Sequence, residues 1–140
     1  MTQENAKLIA QELGSRLSYG VKIRVNDKIE TVETVEGINI LDNIVEFGTY
    51  MACDIDEIKP YLFPLSNMTE EQYDEMEKIV SDDYLENIQI TKEMREKVDF
   101  ITHFPIYCPN VIDWFNKNHF DYRGLIEKGL ALDATGLGIY

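Results

Sequence analysis

Residues 54–72 read Asp-Ile-Asp-Glu-Ile-Lys-Pro-Tyr-Leu-Phe-Pro-Leu-Ser-Asn-Met-Thr-Glu-Glu-Gln, and they separate a β-rich first half of the chain from a helical second half. Asp54 can cap a short helical turn, with Asp56 and Glu57 favourably placed at its positive end. Pro60 disfavours helical geometry in the residue before it, so the turn should end there. The stretch therefore begins with a short, capped turn.

The second part of this stretch contains an apolar run at residues 61–65 and a helix start. Pro64 argues against a central strand, because proline cannot donate to a β-ladder. Thr69 and Gln72 have the spacing of a capping box, and Met68 can pack against Tyr73 as a hydrophobic staple. The sequence therefore predicts a helix that starts at Thr69 and runs to about residue 81.

Upstream of this stretch, the pattern predicts one helix followed by short strands. Thr2 should cap a helix reaching about residue 17, because Ile9, Leu13 and Leu17 recur every fourth residue. Alternating apolar and polar residues predict strands at 21–25 and 28–36, with Gly37 as a break. A further pair is predicted at 38–41 and 44–47, with a short edge at 50–53. Since all the connections are short, an antiparallel meander is expected.

Downstream, helices are predicted at residues 91–102 and 110–118, the second capped by Asn110. Residues 124–134 fit either a short helix or a strand, and the tail at 135–140 should be loose. The expected fold is one α+β domain over residues 1–140. It has an antiparallel sheet of about four strands in the N-terminal half, with the helices from the N-terminus and the C-terminal half packed mainly on one face.

Charge is the unusual bulk property of the chain, with 26 Asp and Glu against 13 Lys and Arg and a net charge of −13. Direct binding of nucleic acid is disfavoured, because that affinity comes from neutralising phosphates with cations. A basic protein partner is favoured instead, since opposite charge would steer its capture. The alternative is that the acidity only supports solubility.

The negative charge is concentrated between Asp54 and Glu86, where eleven acids face two bases. Such a run is usually a solvated face, but it is also what a docking surface for a basic partner needs. The predicted partner-binding residues are Asp54, Asp56, Glu57, Glu70, Glu71, Asp74, Glu75, Glu77, Asp82, Asp83 and Glu86.

No catalytic, metal or cofactor motif accompanies this acidity, and the expectation is a protein that is not an enzyme and holds no metal or cofactor. Cys108 with His103 or His119 could be sought as a nucleophile and base, but an apolar connector suits an inert thiol better. A zinc site from these residues and Cys53 matches no known ligand spacing. No apolar run is long enough to span a membrane and no signal peptide is recognisable, so a cytoplasmic location is expected.

One further polar group, Asp121-Tyr122-Arg123, is a candidate for a specific role. An arginine held by an aspartate and stacked on aromatic rings could bind an anion or a partner. The alternative is that the group locks a C-terminal segment onto the core. Both interpretations remain open from the sequence.

Three segments of the chain form a recognisable set: Leu17-Ser-Tyr-Gly-Val-Lys22, residues 58–71 and residues 120–132. They resemble a family of small proteins carried by phages and mobile elements of gut Bacteroidetes. The resemblance spans nearly the whole chain in the same order. That family often has an arginine where this chain has Phe63 and a serine where it has Asn67, so any function of that arginine does not carry over. The resemblance implies no catalytic residue.

What the resemblance implies is a context, because accessory proteins of mobile DNA often disable host defence. One group of about this length from gut Bacteroidetes inhibits the type II CRISPR nuclease. The leading hypothesis is a non-enzymatic, DNA-mimicking inhibitor that acts in the cytoplasm of the infected host and whose acids occupy a basic nucleic-acid groove. The alternatives are a phage regulatory or morphogenetic adaptor, and a sponge for a nucleotide second messenger using cations such as Arg123, Lys128 or Lys22. The oligomeric state is left open.

Overall fold

The structure, a computed structural model, describes residues 1–26, 31–84 and 109–140, with the backbone alone at 83 and 84. These residues divide into two units, the first formed by Met1–Leu62 with Leu125–Tyr140 and the second by Phe63–Gly124. Among the described residues, the first unit holds a sheet and one helix, and the second holds two helices. The predicted α+β class is confirmed, while the single domain over residues 1–140 and the packing of helices on one face stay predictions.

The sheet of the first unit has six strands rather than the expected four or so, in the order β4-β3-β2-β1-β5-β6. The first five strands pair in antiparallel fashion, whereas β6 comes from the C-terminal part of the chain and runs parallel to β5. The strands are β1 (Lys22–Val25), β2 (Val32–Asn39), β3 (Ile44–Phe47), β4 (Met51–Asp54), β5 (Ile58–Leu62) and β6 (Leu132–Asp133).

The predicted break at Gly37 is wrong, because β2 continues through it to Asn39. The register against β3 shifts between Val35 and Gly37, which marks a β-bulge. A Cβ on Gly37 would stand 2.6 Å from Oε2 of Glu46, the end of a flexible, exposed side chain that can move aside, so the space alone does not require glycine at this point. The residues expected to start a separate strand after Gly37 instead complete β2, and the predicted pairing with β3 is confirmed.

Residues 58–62 form a strand inside the sheet, which corrects the expectation that Pro64 excludes a central strand in the apolar run 61–65. Pro64 lies beyond the end of β5 and does not interfere. Pro60 lies within β5 opposite Ile23, but pairing with β6 begins only at Tyr61. At Pro60 the strand therefore has a partner on one side alone, and proline is tolerated at such an edge position.

Helix α1 (Gln3–Arg16) begins at the predicted cap, where the Thr2 hydroxyl accepts a hydrogen bond from the Asn5 amide at 3.1 Å. Its buried face continues the core of the sheet through Ile9 and Leu13. The predicted third member of that stripe, Leu17, is 36% exposed and lies in a 3-10 turn after the helix. The buried face instead carries an ion pair between Glu12 and Arg16, both with fully buried side chains.

The C-terminal tail is anchored at its last residue, contrary to the expected loose end. The Tyr140 hydroxyl accepts a hydrogen bond from the Lys22 amide at 2.9 Å and donates one to the Tyr61 carbonyl at 2.8 Å. Tyr140 therefore joins the tail to the two adjacent strands β1 and β5. Upstream of it, residues 124–131 form turns and a bend, so only the strand alternative for residues 124–134 holds, at β6.

Replacing Tyr140 by phenylalanine is expected to lower the free energy of unfolding by about 1–2 kcal/mol at neutral pH, because two hydrogen bonds are lost. Burial raises the pKa of Tyr140 to about 12, against about 10 in an unfolded chain. Its neutral hydroxyl therefore stabilises the fold fully below about pH 10, and that contribution is lost as the pH rises through about 12. Urea unfolding of both proteins across this range should show the difference between them shrinking. Equal stabilities at neutral pH would contradict the anchoring role.

The second unit contains α2 (Glu70–Tyr84) and α3 (Pro109–Lys117), packed around an aromatic core. Asn110 was expected to cap α3, but the helix already begins at Pro109, a residue suited to a first helical position because it lacks an N–H. Phe115 lies at the centre of this core, with ring centroids 5.4 Å from Trp114 and 5.7 Å from Tyr122. The helix predicted at residues 91–102 lies outside the described residues.

Candidate functional site

The predicted partner-binding acids are divided between the two units. Asp54, Asp56 and Glu57 belong to the first unit, at the end of β4 and in the 3-10 turn that follows. The acids from Glu70 to Asp83 belong to the second unit, within α2. Glu86 lies outside the described residues. The acidic stretch, continuous in sequence, is thus two separate sets, one on each unit.

Helix α2 starts as the capping box predicts. The Thr69 amide donates to Gln72 Oε1 at 2.9 Å, and the Gln72 amide donates to Thr69 Oγ1 at 3.2 Å. Met68 and Tyr73, the predicted staple residues, are both buried in the core of the second unit. This start fixes the rotation of the helix about its axis, since the cap and the staple select which side chains point inward.

Five of the acids of α2 are exposed because the buried positions recur every third or fourth residue. Tyr73, Met76 and Val80 are the buried positions, as predicted from their spacing. Seven acids and one lysine occupy Glu70–Tyr84. The exposed acids are Glu70, Glu71, Asp74, Glu75 and Asp82, whereas Glu77 is half-buried and Lys78 is exposed. We call the five exposed acids the α2 acidic face.

The α2 acidic face is less densely charged along the helix axis than one strand of a nucleic acid. From Glu70 to Asp82 the helix axis rises about 18 Å, at about 1.5 Å per residue. The five exposed carboxylates are therefore about 4.5 Å apart along the axis on average, against ~3.4 Å per phosphate along one DNA strand. Four of them lie between Glu70 and Glu75, and Lys78 separates these four from Asp82.

The acids of the first unit have a local structural role as well as charge. Asp54 and Glu57 form a capping box around the 3-10 turn Ile55–Glu57, with each side chain accepting a backbone N–H of the other residue. Burial raises the pKa of the neighbouring Cys53 thiol to about 11, with further raising from Glu57, Asp54 and Asp56. Cys53 is therefore a protonated, unreactive thiol at neutral pH.

The group Asp121-Tyr122-Arg123 is held within the second unit. The Phe63 amide donates to the His119 carbonyl and the Asp121 amide donates to the Phe63 carbonyl, both at 2.8 Å. The buried Tyr122 hydroxyl donates to Asn116 Oδ1 at 2.9 Å. Arg123 stacks on the Tyr122 ring, 4.6 Å from its centroid. These contacts join the segment to its own unit, as the structural interpretation expects, and anion binding by Arg123 stays a prediction.

The residues weighed for covalent or metal chemistry are only partly described. Cys108 and His103 lie outside the described residues, whereas Cys53 belongs to the first unit and His119 to the second. His119 is 6% exposed and has a positive φ of 60°. Within residues 1–26, 31–84 and 109–140, no three His, Cys, Asp or Glu side chains are grouped to hold a metal ion.

The cations named for the nucleotide-sponge alternative are divided between the two units. Lys22 and Lys128 belong to the first unit and Arg123 to the second. The Lys22 ammonium donates to Thr34 Oγ1 at 2.6 Å.

Among the described helices, none has the length and apolar character needed to cross a membrane.

Sequence reasoning missed an exposed apolar tip on the β2–β3 hairpin. Ile40 and Leu41 were expected in a strand, but they lie beyond the end of β2, with 69% and 94% of their surface exposed. The signal was present, because Asn39, Asp42 and Asn43 are residues typical of turns. Two apolar residues between them are therefore displayed by the turn and not buried by a sheet.

Comparison with known proteins does not assign the chain to a family. No family model, curated protein or solved structure matches the chain.

Proposed function

We propose that this protein is a non-enzymatic inhibitor that docks the α2 acidic face into a basic nucleic-acid-binding groove of another protein. The observation that supports the proposal is the row of five exposed carboxylates on one helix, opposed there by Lys78 alone. The resemblance to proteins of phages and mobile elements gives the partner class, a type II CRISPR nuclease of the bacterial host. Its guide–target duplex runs in a positively charged channel, which is a surface of the required sign.

The mechanism is competition for cationic side chains. Lys and Arg that neutralise phosphates would pair with the α2 acidic face, and the nuclease could no longer hold DNA or RNA at that place. The net charge of −13 would steer the encounter over a longer range and accelerate capture at low salt. No bond-making step is involved, so the protein acts stoichiometrically.

The test is a matched pair of triple variants. Glu71→Gln, Asp74→Asn and Glu75→Gln remove three acids of the α2 acidic face, while Glu36→Gln, Glu46→Gln and Glu127→Gln remove three exposed acids of the first unit. Both variants have the same net charge. Glu77 is left unchanged because it is half-buried. The readouts are DNA cleavage and DNA binding by type II nucleases of Bacteroidetes, with circular dichroism to verify folding.

The α2 variant is expected to inhibit about 3- to 150-fold more weakly, since each exposed ion pair contributes about 0.2–1 kcal/mol. The control variant should inhibit like the unaltered protein. Equal loss in both variants would show that only net charge matters and that α2 is not the docking face. If the unaltered protein leaves every nuclease of the panel active, the proposed target is wrong.

A further inference from the structure

A groove in the first unit lies between three elements: the first turns of α1, the tip of the β2–β3 hairpin and the 3-10 turn after β4. Its volume is about 1030 Å³, at the upper end of the ~300–1,000 Å³ usual for binding pockets. We call it the α1–hairpin groove. It belongs to the first unit alone, and none of the α2 acids lines it.

The floor of the α1–hairpin groove is formed by buried apolar residues, and a backbone hydrogen bond joins two of the elements that line it. Ala10 and Ile55 are 5% and 3% exposed, and both line the groove together with the partly buried Ala6. Two alanines on the facing side of α1 leave space that larger side chains would fill. The Ile55 amide donates to the Asn43 carbonyl at 2.8 Å, which joins the 3-10 turn to the hairpin.

The rim of the groove carries the exposed apolar tip of the hairpin. The turn is set by the Asn39 side chain, which donates to Asp42 Oδ2 at 2.7 Å and accepts from the Leu41 amide at 3.1 Å. Ile40 and Leu41 are therefore displayed by a hydrogen-bonded turn. Isolated exposed apolar residues are common, but a pair beside an apolar floor is typical of a contact surface.

The charge around the groove indicates which occupant fits. Glu4, Asp42, Asp54 and Asp56 line it, against Lys7 as the one Lys or Arg among its lining residues. A second copy of the chain would bring like charges together, and an anionic lipid surface would be repelled. A basic occupant is favoured by charge complementarity.

We infer that the α1–hairpin groove is a docking site for a basic peptide segment of a partner protein. An apolar anchor residue of that segment packs between Leu41 and the Ala10–Ile55 floor, and flanking Lys or Arg residues pair with Asp42 and Asp56. Buried apolar anchors supply most of the affinity at such sites, while charges at the rim mainly supply rate and selectivity. This site goes beyond the proposed function, because it uses a different unit and different acids.

The probe is a short, fluorescein-labelled peptide with leucines flanked by lysines. Its binding to the full chain is measured by fluorescence anisotropy. Two control peptides replace the leucines by serine or the lysines by glutamate. The protein variants are Leu41→Ser, Asp42→Asn with Asp56→Asn, and the two triple variants described above. Asp54 is left unchanged because it caps the 3-10 turn. Amide chemical shifts locate the bound peptide, and analytical ultracentrifugation measures self-association.

The peptide is expected to shift amides of residues 40–43 and 54–56. Leu41→Ser should weaken binding about tenfold or more. The double aspartate variant should weaken binding and reduce its dependence on salt, whereas both triple variants should bind within about twofold of the unaltered protein. Neither control peptide should bind comparably. The inference would be overturned if the Leu41→Ser variant still bound the peptide, or if the chemical-shift changes were confined to α2. It would also be overturned if the protein formed a dimer that Leu41→Ser abolished, because the groove would then bind a second copy of the chain.

Discussion

Replacing Glu12 by glutamine is expected to lower the free energy of unfolding by about 3–5 kcal/mol, the largest effect foreseen in the first unit. Glu12 and Arg16 pair on the inner face of α1, and both side chains are fully buried. Glutamine keeps the shape but removes the carboxylate that pairs with Arg16 in a core that includes Ile9 and Leu13. Removing one partner of a buried ion pair is among the few single changes that cost this much.

A double variant distinguishes the destabilisation caused by removing one partner of this pair from the net contribution of the pair to the free energy of unfolding. Glu12→Leu with Arg16→Met replaces both charges by apolar groups of similar length. Because desolvation offsets most of the attraction in a buried pair, the double variant should be within about 1 kcal/mol of the unaltered protein, or more stable. Urea unfolding measures all three proteins. A single variant that costs less than about 1 kcal/mol would contradict the burial of the pair.

The same experiment tests the predicted single domain. Trp114 is the one tryptophan of the chain and lies in the second unit, whereas Glu12 lies in the first. If residues 1–140 unfold as one cooperative domain, the Glu12→Gln variant should shift the fluorescence transition of Trp114 by the same amount as the transition in far-ultraviolet circular dichroism. A fluorescence transition that stays in place would show that the two units unfold separately.

Replacing Phe115 by alanine is expected to cost about 3–5 kcal/mol, the corresponding effect in the second unit. Phe115 is 1% exposed, and its ring lies within 6.3 Å, between centroids, of the rings of Trp114, Phe120 and Tyr122. Truncation therefore removes apolar burial and three ring contacts and leaves a cavity. In a chain of this size the midpoint of thermal unfolding should fall by roughly 10–20 °C.

The matched control for Phe115 is Lys117→Ala, an exposed position on the same helix α3. It should change the free energy of unfolding by no more than about 0.5 kcal/mol. Circular dichroism is the suitable readout for the Phe115 variant, because the ring of Trp114 is itself in contact with Phe115. A Phe115→Ala protein as stable as the control would mean that α3 does not depend on this aromatic core.

Elements encoded by short spacings were predictable. The capping box at Thr69 and the apolar positions Tyr73, Met76 and Val80 define α2, and both the start and the buried face are confirmed. The alternation at residues 21–25 likewise predicted β1, whose inner residue Ile23 is fully buried. These features depend on residues within one or two helical turns or strand pleats of each other, so the local sequence pattern is enough to predict them.

Other features were hidden because the local signals conflicted with the tertiary ones. Pro64 argued against a central strand, yet β5 ends at Leu62 and pairs with β1 and β6. Gly37 indicated a break, yet a bulge accommodates it. Glu12 and Arg16 have the i, i+4 spacing of an ion pair and share a helix face with Ile9 and Leu13. That spacing could have been recognised, but charged residues are so rarely buried that the apolar Leu17 was the natural choice.

The sequence by itself determined the starts of α1 and α2, the meander of the first strands and the acidity of α2, because each depends on side chains close together along the chain. The tertiary structure alone decided the sixth strand, the anchoring of Tyr140 on Tyr61 and Lys22, and the division of the acids between two units. Those hydrogen bonds join residues 79 and 118 positions apart. Contacts at such separations form only when the whole chain folds back on itself, and no local pattern encodes them.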